Sequence, residues 1–320
     1  MKRQIAQNKT RCFIALSFVL PFLAIVYAGF ALSDEFDLHK KISSDIQKCG
    51  GELREKACVV EGEDNWLFLQ ESLVNLLVDW KPNTKQIIAF KDSLEERDIE
   101  LVVVPVPDKL QTAAEFYSGN ARRGITARYY EDWLDELREN DVTVIDALDE
   151  FREQSETTPM FEKNESHCTS EARQLLASMV ADSLEPIFED SPKKQYGLRD
   201  TIVPGTGNLY HMLHNEYPKY DIKEKKVVTA DGKKYHGSKK APIVVIGDSN
   251  TSQGSNNSSN IGAYIAQATG EETFTISKIG GGNIGPTLFK NRDSFLKGKK
   301  AVVWVFDGRE LYGEFAEPVF

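Results

Sequence analysis

Moving an acyl group takes a nucleophile, a base and a group that orients the base, and two stretches of this chain supply them. The first is Ile243-Val244-Val245-Ile246-Gly247-Asp248-Ser249-Asn250. Its apolar, β-branched run predicts a buried parallel strand. A serine at the carboxyl end of such a strand, just ahead of a helix, stands at the rim of an α/β sheet. Backbone N–H groups there can stabilise a developing oxyanion. Gly-Asp-Ser alone is a common loop triplet, so the argument needs its partner. That partner is Glu165-Ser166-His167. Serine is a poor nucleophile until a base takes its proton, and the base works best when a carboxylate orients it. Among the five histidines, only His167 combines a carboxylate two residues away with a helix start directly behind it. Thr169 and Ser170 are the N-cap candidates, and Leu175, Leu176, Met179, Val180 and Leu184 form the inward face of that helix. Taken alone, Glu165 and His167 read more readily as a polar loop capping a helix. Joined to Gly-Asp-Ser they make a Ser–His–acid set: Ser249 nucleophile, His167 base, Glu165 orienting acid. Asp248 is the alternative acid.

Gly280-Gly281-Gly282-Asn283 is the third candidate. Glycines let the backbone approach a ligand, and an asparagine amide can donate to an oxyanion. Gly282, Asn283, Gly247 and Asp248 are therefore grouped around the oxyanion and substrate. The plainer alternative is a turn between a strand and the next helix. No Gly-Lys-Ser/Thr follows, which argues against a phosphate loop. His211 and His214 are three apart but lack a third ligand of suitable spacing, and a catalytic zinc takes about three protein ligands. No metal or cofactor is expected. Cys168 adjoins His167, but adjacent side chains diverge, so it is not read as the nucleophile.

The elements that must hold these residues alternate along the chain. Trp66–Leu69 reads as a first strand, Thr84–Arg97 as a helix and Ile99–Pro107 as a valine-rich strand. Tyr129–Glu139 reads as a helix with Trp133, Leu134 and Leu137 inward, and Val142–Ile145 as another strand. Residues 186 to 240 interrupt the rhythm with prolines, glycines and lysines. They read as a surface excursion with a hairpin near Val227–Tyr235. The last strand is Ala301–Phe306. Such alternation implies an α/β fold with a central parallel sheet covered on both faces, in one domain.

Acidic residues outnumber basic ones, 49 to 39, giving a net charge of −10 with no long basic run. The electrostatic footprint of a nucleic-acid binder is missing. Residues 12–32 carry no charge, enough for one membrane-spanning helix. Lys2, Arg3, Lys9 and Arg11 precede it, and Asp34, Glu35 and Asp37 follow. Positive residues stay inside, so the chain divides into a cytoplasmic terminus (1–11), an inner-membrane signal anchor (12–32), a polar lead-in (33–60) and a periplasmic domain (61–320). A cleaved signal peptide is the alternative, although the apolar stretch exceeds the usual h-region of about 7–15 residues. Cys49 and Cys58 flank a short glycine-containing loop, and an exported compartment allows them to pair. Cys168 is then left as a free thiol.

In this order the motifs resemble those of the SGNH-hydrolase-like polysaccharide O-acetyltransferases of the alginate (AlgJ/AlgX) type. The resemblance covers most of residues 60 to 315. It runs through Trp66-Leu67-Phe68-Leu69, the strand end Val103-Val104-Pro105-Val106-Pro107-Asp108-Lys109, acid-x-His, Gly207-Asn208-Leu209, Gly-Asp-Ser, Gly-Gly-Gly-Asn and a closing Val-Val-Trp strand. The acid and histidine precede the serine, as in that family, whereas ordinary SGNH esterases have the serine first. The chain departs from the family at three places. Glu165 replaces aspartate, Cys168 replaces tryptophan, and Asn208 stands where aspartate is common. The resemblance implies transfer of acetyl groups to an exported polysaccharide, with a multi-pass membrane acyltransferase as donor partner. An acetylesterase using the same residues, or a non-catalytic polysaccharide-binding subunit, are the alternatives.

Overall fold

Runs of β-branched residues build the centre of the molecule, and the alternation of their side chains decides what covers it. The computed structural model describes residues 37–49, 58–77, 83–119, 128–289, 293–313 and 315. The anchor expected at 12–32 lies outside them. Among the described residues no helix is long and apolar enough to cross a membrane. In chain order the elements are α1 (37–48), β1 (Val59–Glu61), β2 (Leu67–Leu69), α2 (Gln70–Leu77), α3 (Lys85–Glu95), β3 (Glu100–Val106), α4 (Lys109–Thr112), α5 (Arg128–Glu139), β4 (Thr143–Val144), α6 (Leu148–Gln154), α7 (Ser170–Phe188), β5 (Tyr196–Pro204), α8 (Asn208–His214), β6 (Asp221–Thr229), β7 (Ile243–Gly247), α9 (Ser249–Ser252), α10 (Ile261–Thr269), β8 (Thr273–Ser277), α11 (Asp293–Leu296) and β9 (Ala301–Asp307).

Five strands form one sheet in the order β4-β3-β9-β7-β8, and every pairing is parallel. Successive side chains point to opposite faces. Val102, Val104, Ile243, Val245, Val303 and Val305 meet the apolar sides of α7 and α10. Leu101, Val103, Val244, Ile246, Val302 and Trp304 meet those of α3 and α5. Both faces are therefore dry, as expected for a parallel sheet, and each fully buried Val or Ile contributes roughly 1.5–3 kcal/mol. This is the three-layer α/β arrangement the alternation implied.

The three central strands end alike. Each ends at or just before an aspartate whose carboxylate caps the next helical turn, satisfying an N–H that has no intrahelical acceptor. Asp108 accepts from Leu110 N at 2.7 Å, Asp248 from Asn250 N at 2.8 Å and Asp307 from Arg309 N at 3.1 Å. These caps line one rim of the sheet, and Ser249 follows the middle residue of the set in the sequence.

One expectation needs correction, and several strands were not anticipated. Trp66–Leu69 does not join the main sheet: β2 pairs antiparallel with β1, a strand not anticipated. The excursion does turn back near Val227–Tyr235, through an antiparallel Val228–Lys234 bridge with Thr229 N donating to Lys233 O at 2.8 Å and Tyr235 N to Val227 O at 3.1 Å. Its main ribbon, however, is the unanticipated antiparallel pairing of β6 with β5. The edge strand β8 was also missed, because Thr273, Thr275 and Ser277 dilute its apolar pattern. Cys49 and Cys58 form the expected disulfide. Cys168 is a buried thiol pushed up to about 12 by burial, which removes the thiolate that a nucleophile requires.

Candidate active site

Ser249 owes its place to Gly247. The backbone there has φ +156, and a Cβ would fall 1.8 Å from the Val305 carbonyl oxygen on the neighbouring strand. Only glycine lets β7 end this close to β9. The chain then turns through Asp248 into α9, of which Ser249 is the first residue. Its N–H has no intrahelical acceptor for that reason. The Ser249 side chain is half-buried, unlike its neighbours Asp248 and Asn250, which are buried. Asp248 sits beneath the serine and is fully used: its second oxygen accepts from Asp307 N at 2.9 Å. Burial raises its carboxyl, and the N–H groups of Asp307 and Asn250 oppose that rise.

Glu165 and His167 lie on a turn closed by a Phe161–Cys168 bridge and by Thr169 N donating to Met160 O at 2.9 Å. Behind it Thr169 caps α7, accepting from Ala172 N at 3.3 Å. His167 Nδ1 and Glu165 Oε1 are 2.6 Å apart. The same carboxylate oxygen accepts from Ser166 N at 3.1 Å and His167 N at 3.3 Å. The other accepts from Thr206 Oγ1 and, at 3.3 Å, from Asn208 N. Burial works to raise the Glu165 carboxyl. The hydrogen bonds from His167, Thr206 and Asn208 outweigh it and hold the group below its ordinary value. A buried carboxylate that stays ionised is what an imidazolium partner requires.

Thr206 and Asn208 come from the excursion, and neither was singled out from the sequence as a site residue. Gly207 between them is left-handed (φ +50) and caps α8, which aims the Asn208 N–H at the carboxylate. Asn208 also holds Ser166 at two points: Oδ1 accepts from Ser166 N at 2.8 Å, and Nδ2 donates to Ser166 Oγ at 2.6 Å. The signal available was the Gly-Asn pair at a helix start.

The turns carrying Ser249 and His167 touch. Cys168 N donates to Asn250 Oδ1 at 3.4 Å, so the residues following the base and the nucleophile are directly bonded. Asn250 Nδ2 reaches Asp307 Oδ2 at 3.3 Å. Deeper still, Arg173 on α7 ties the His167 turn to the loop ahead of α10 and to β6: it donates to Cys168 O at 2.6 Å, to Ser259 O at 3.0 Å and to Glu224 Oε1 at 2.8 Å. The described contacts contain no direct hydrogen bond between Ser249 Oγ and the imidazole. In ligand-free sites such bonds are often long and tighten with substrate.

The glycine loop reaches the same rim. Trp304 Nε1 donates to Gly282 O at 2.9 Å, and a Cβ on Gly282 would lie 3.2 Å from Asp248 Oδ2. Gly282 opens a 3-10 stretch, Gly282–Phe289, in place of a flexible turn. The Asn283 side chain lies outside the described residues. His211 and His214 are occupied differently from metal ligands: their rings pack on Tyr217 and Tyr210, centroids 4.0 and 4.2 Å apart. Among the described residues no cluster of three or more His, Cys, Asp or Glu could hold a metal.

Comparison with known proteins follows from this geometry. The family described as "SGNH hydrolase-like domain, acetyltransferase AlgX" matches residues 59–307. The O-acetyltransferase domain of Pseudomonas putida AlgJ has the same fold, with a TM-score of 0.65 at 18% identity over 82% of this chain and 94% of that one. Pseudomonas aeruginosa AlgX gives 0.65 at 20% identity, over 79% of this chain and 63% of that one. Among curated proteins none matches the sequence. With most of its length matched by that family, and with the parallel sheet and rim described above, the chain belongs to the AlgX family of SGNH hydrolase-like acetyltransferase domains.

Proposed function

We propose that this protein is an O-acetyltransferase that carries an acetyl group on Ser249 and passes it to a hydroxyl of an exported polysaccharide. The observation that carries this reading is the 2.6 Å Glu165–His167 contact on a turn bonded to the serine turn. In the first step His167 takes the Ser249 proton as Oγ attacks the acetyl carbonyl. Glu165 stabilises the imidazolium, which then returns the proton to the leaving group. The Ser249 and Gly282 N–H groups are assigned to the oxyanion, and the sequence offers the Asn283 amide as a further donor. In the second step a sugar hydroxyl gives its proton to His167 and attacks the acyl-serine, and Oγ leaves with that proton. Gly247 and Asp248 hold the serine turn from below.

The family supports a polysaccharide acceptor, and the charge asymmetry around 12–32 supports a periplasmic domain anchored in the inner membrane. A multi-pass membrane acyltransferase supplies acetyl groups in this reading. The test uses an activated acetyl ester and a panel of oligosaccharides, with products separated by mass spectrometry. Acetylated sugar in excess over free acetate is expected. Acetate alone across the panel would favour the esterase.

A further inference from the structure

The turn that carries Glu165 is held from one side by a lysine to which the sequence reading gave no role. Lys109 opens α4 and is 6% exposed. Its Nζ donates to Glu162 O at 2.7 Å, Lys163 O at 2.8 Å and Glu165 O at 3.0 Å. An ammonium has three N–H donors, and all three are matched here. The Nζ also lies 5.0 Å from the centre of the Trp66 ring and 5.5 Å from that of Phe68, where a cation is attracted to the ring face. Lys163 O takes a further bond from Leu67 N at 3.0 Å, and Asn164 O accepts from Leu209 N at 3.1 Å. Four successive carbonyls, 162 to 165, are thus bonded by donors from other elements.

Burying a lysine here costs desolvation. Burial pushes the Lys109 ammonium down to about 7, with Glu165, Asp108 and Glu162 working against that fall. An apolar side chain would avoid that desolvation but take the donor from the Glu162, Lys163 and Glu165 carbonyls. The lysine's distinctive contribution is the three-way grip on the turn.

We infer that Lys109 is a positioning residue for the acid–base pair. It fixes the Glu165 carbonyl, and through the backbone it fixes the direction in which the Glu165 carboxylate holds His167. Only the kinetic arm of its test rests on the proposed acetyl transfer; the other arm is read without substrate. Lys109→Met keeps the buried stem and removes the donors. In the wild type the 2.6 Å contact should give a downfield His167 Nδ1 proton by NMR, and this signal should shift upfield or vanish in Lys109→Met. With an activated acetyl ester, kcat should fall roughly 30–100-fold, the scale of a misplaced catalytic group, while KM holds. A folded Lys109→Met with both the proton and kcat unchanged would overturn the inference. If that variant does not fold, Lys109→Gln, which keeps a donor, is read in the same way. Failure of both to fold would assign Lys109 a structural role instead. A wild type that shows the proton but no transfer would count against the proposed reaction and leave the positioning role standing.

Discussion

Ser249 is carried by a strand whose Ile243, Val244, Val245 and Ile246 are wholly buried, whereas Glu165 and His167 ride on a turn closed by a single bridge. The serine's place follows from sheet register and apolar packing on two faces. The acid–base pair is placed by hydrogen bonds: Thr206 and Asn208 on the carboxylate, Lys109 on the carbonyls, and Arg173 on Cys168 O. Apolar packing is non-directional and tolerates small changes of shape at modest cost. A hydrogen-bonded turn is specified by direction, so losing one partner moves the groups it holds. Stability and rate should therefore separate between the two regions.

The largest effect should come from Glu165→Gln, which keeps most of the geometry and removes the charge. A fall of roughly 10³–10⁴-fold in acyl transfer is expected, measured as kcat with an activated ester. The same variant has a pH signature. Glu165 is held below its ordinary value in the fold, so it contributes stability above the unfolded-state value and loses it as pH falls through the folded one. Melting temperatures of wild type and Glu165→Gln should differ near neutrality, begin to converge as pH falls past the ordinary glutamate value of about 4.3, and meet only below the lower folded-state value. A difference that persists unchanged into acid would remove the carboxylate from the account.

Arg173→Leu should come next. It leaves Glu224 buried without its cation and two carbonyls without donors, at a cost of about 3–5 kcal/mol. Urea unfolding would measure the loss. The folded fraction should also react more slowly, since Cys168 O belongs to the turn that carries His167. Full specific activity in the folded fraction would show that the grip is structural only. Glu165→Asp restores the acid common in the family but shortens the reach by one methylene. It cannot hold His167 and the Thr206–Asn208 pair together from this backbone, and a fall of roughly 10–100-fold in kcat is expected. The smallest effect should be that of Ile246→Val beneath the serine. About 0.5–1.5 kcal/mol of stability should be lost, with kcat unchanged. A rate loss in Ile246→Val as large as in Arg173→Leu would erase the distinction.

What could be read in the sequence divides along the same line. The strand before Ser249, the helix behind His167 with its Thr169 cap, and the Cys49–Cys58 bridge all announce themselves locally. Each depends on residues within a few positions of one another. The acid and histidine were legible for the same reason, being two residues apart. The contacts of Thr206 and Asn208 were not, although Gly207-Asn208-Leu209 stood out as a motif, because they meet Glu165 across some forty residues (separations of 41 and 43) of chain that reads as surface. Arg173 sits on the inward side of a helix where periodicity expects an apolar residue, and Glu224 lies in a lysine-rich strand. Nothing local indicates that the two neutralise each other. Lys109 was visible only as the end of the Val103–Lys109 motif, and nothing local indicates which carbonyls it holds. The β5–β6 ribbon and β8 were obscured by polar residues, since pairing there depends on backbone partners more than on an apolar pattern.

The central claim is that Ser249 receives an acyl group with His167 as its base. Its most direct test is intact-mass analysis, with peptide mapping, of the domain after brief exposure to an activated acetyl ester. The account expects one acetyl group on the wild type, mapped to Ser249. It expects none on Ser249→Ala and only slow labelling of His167→Ala, with all three proteins melting at similar temperatures. Equal labelling of Ser249→Ala, or an acetyl group mapped to another residue, would contradict it.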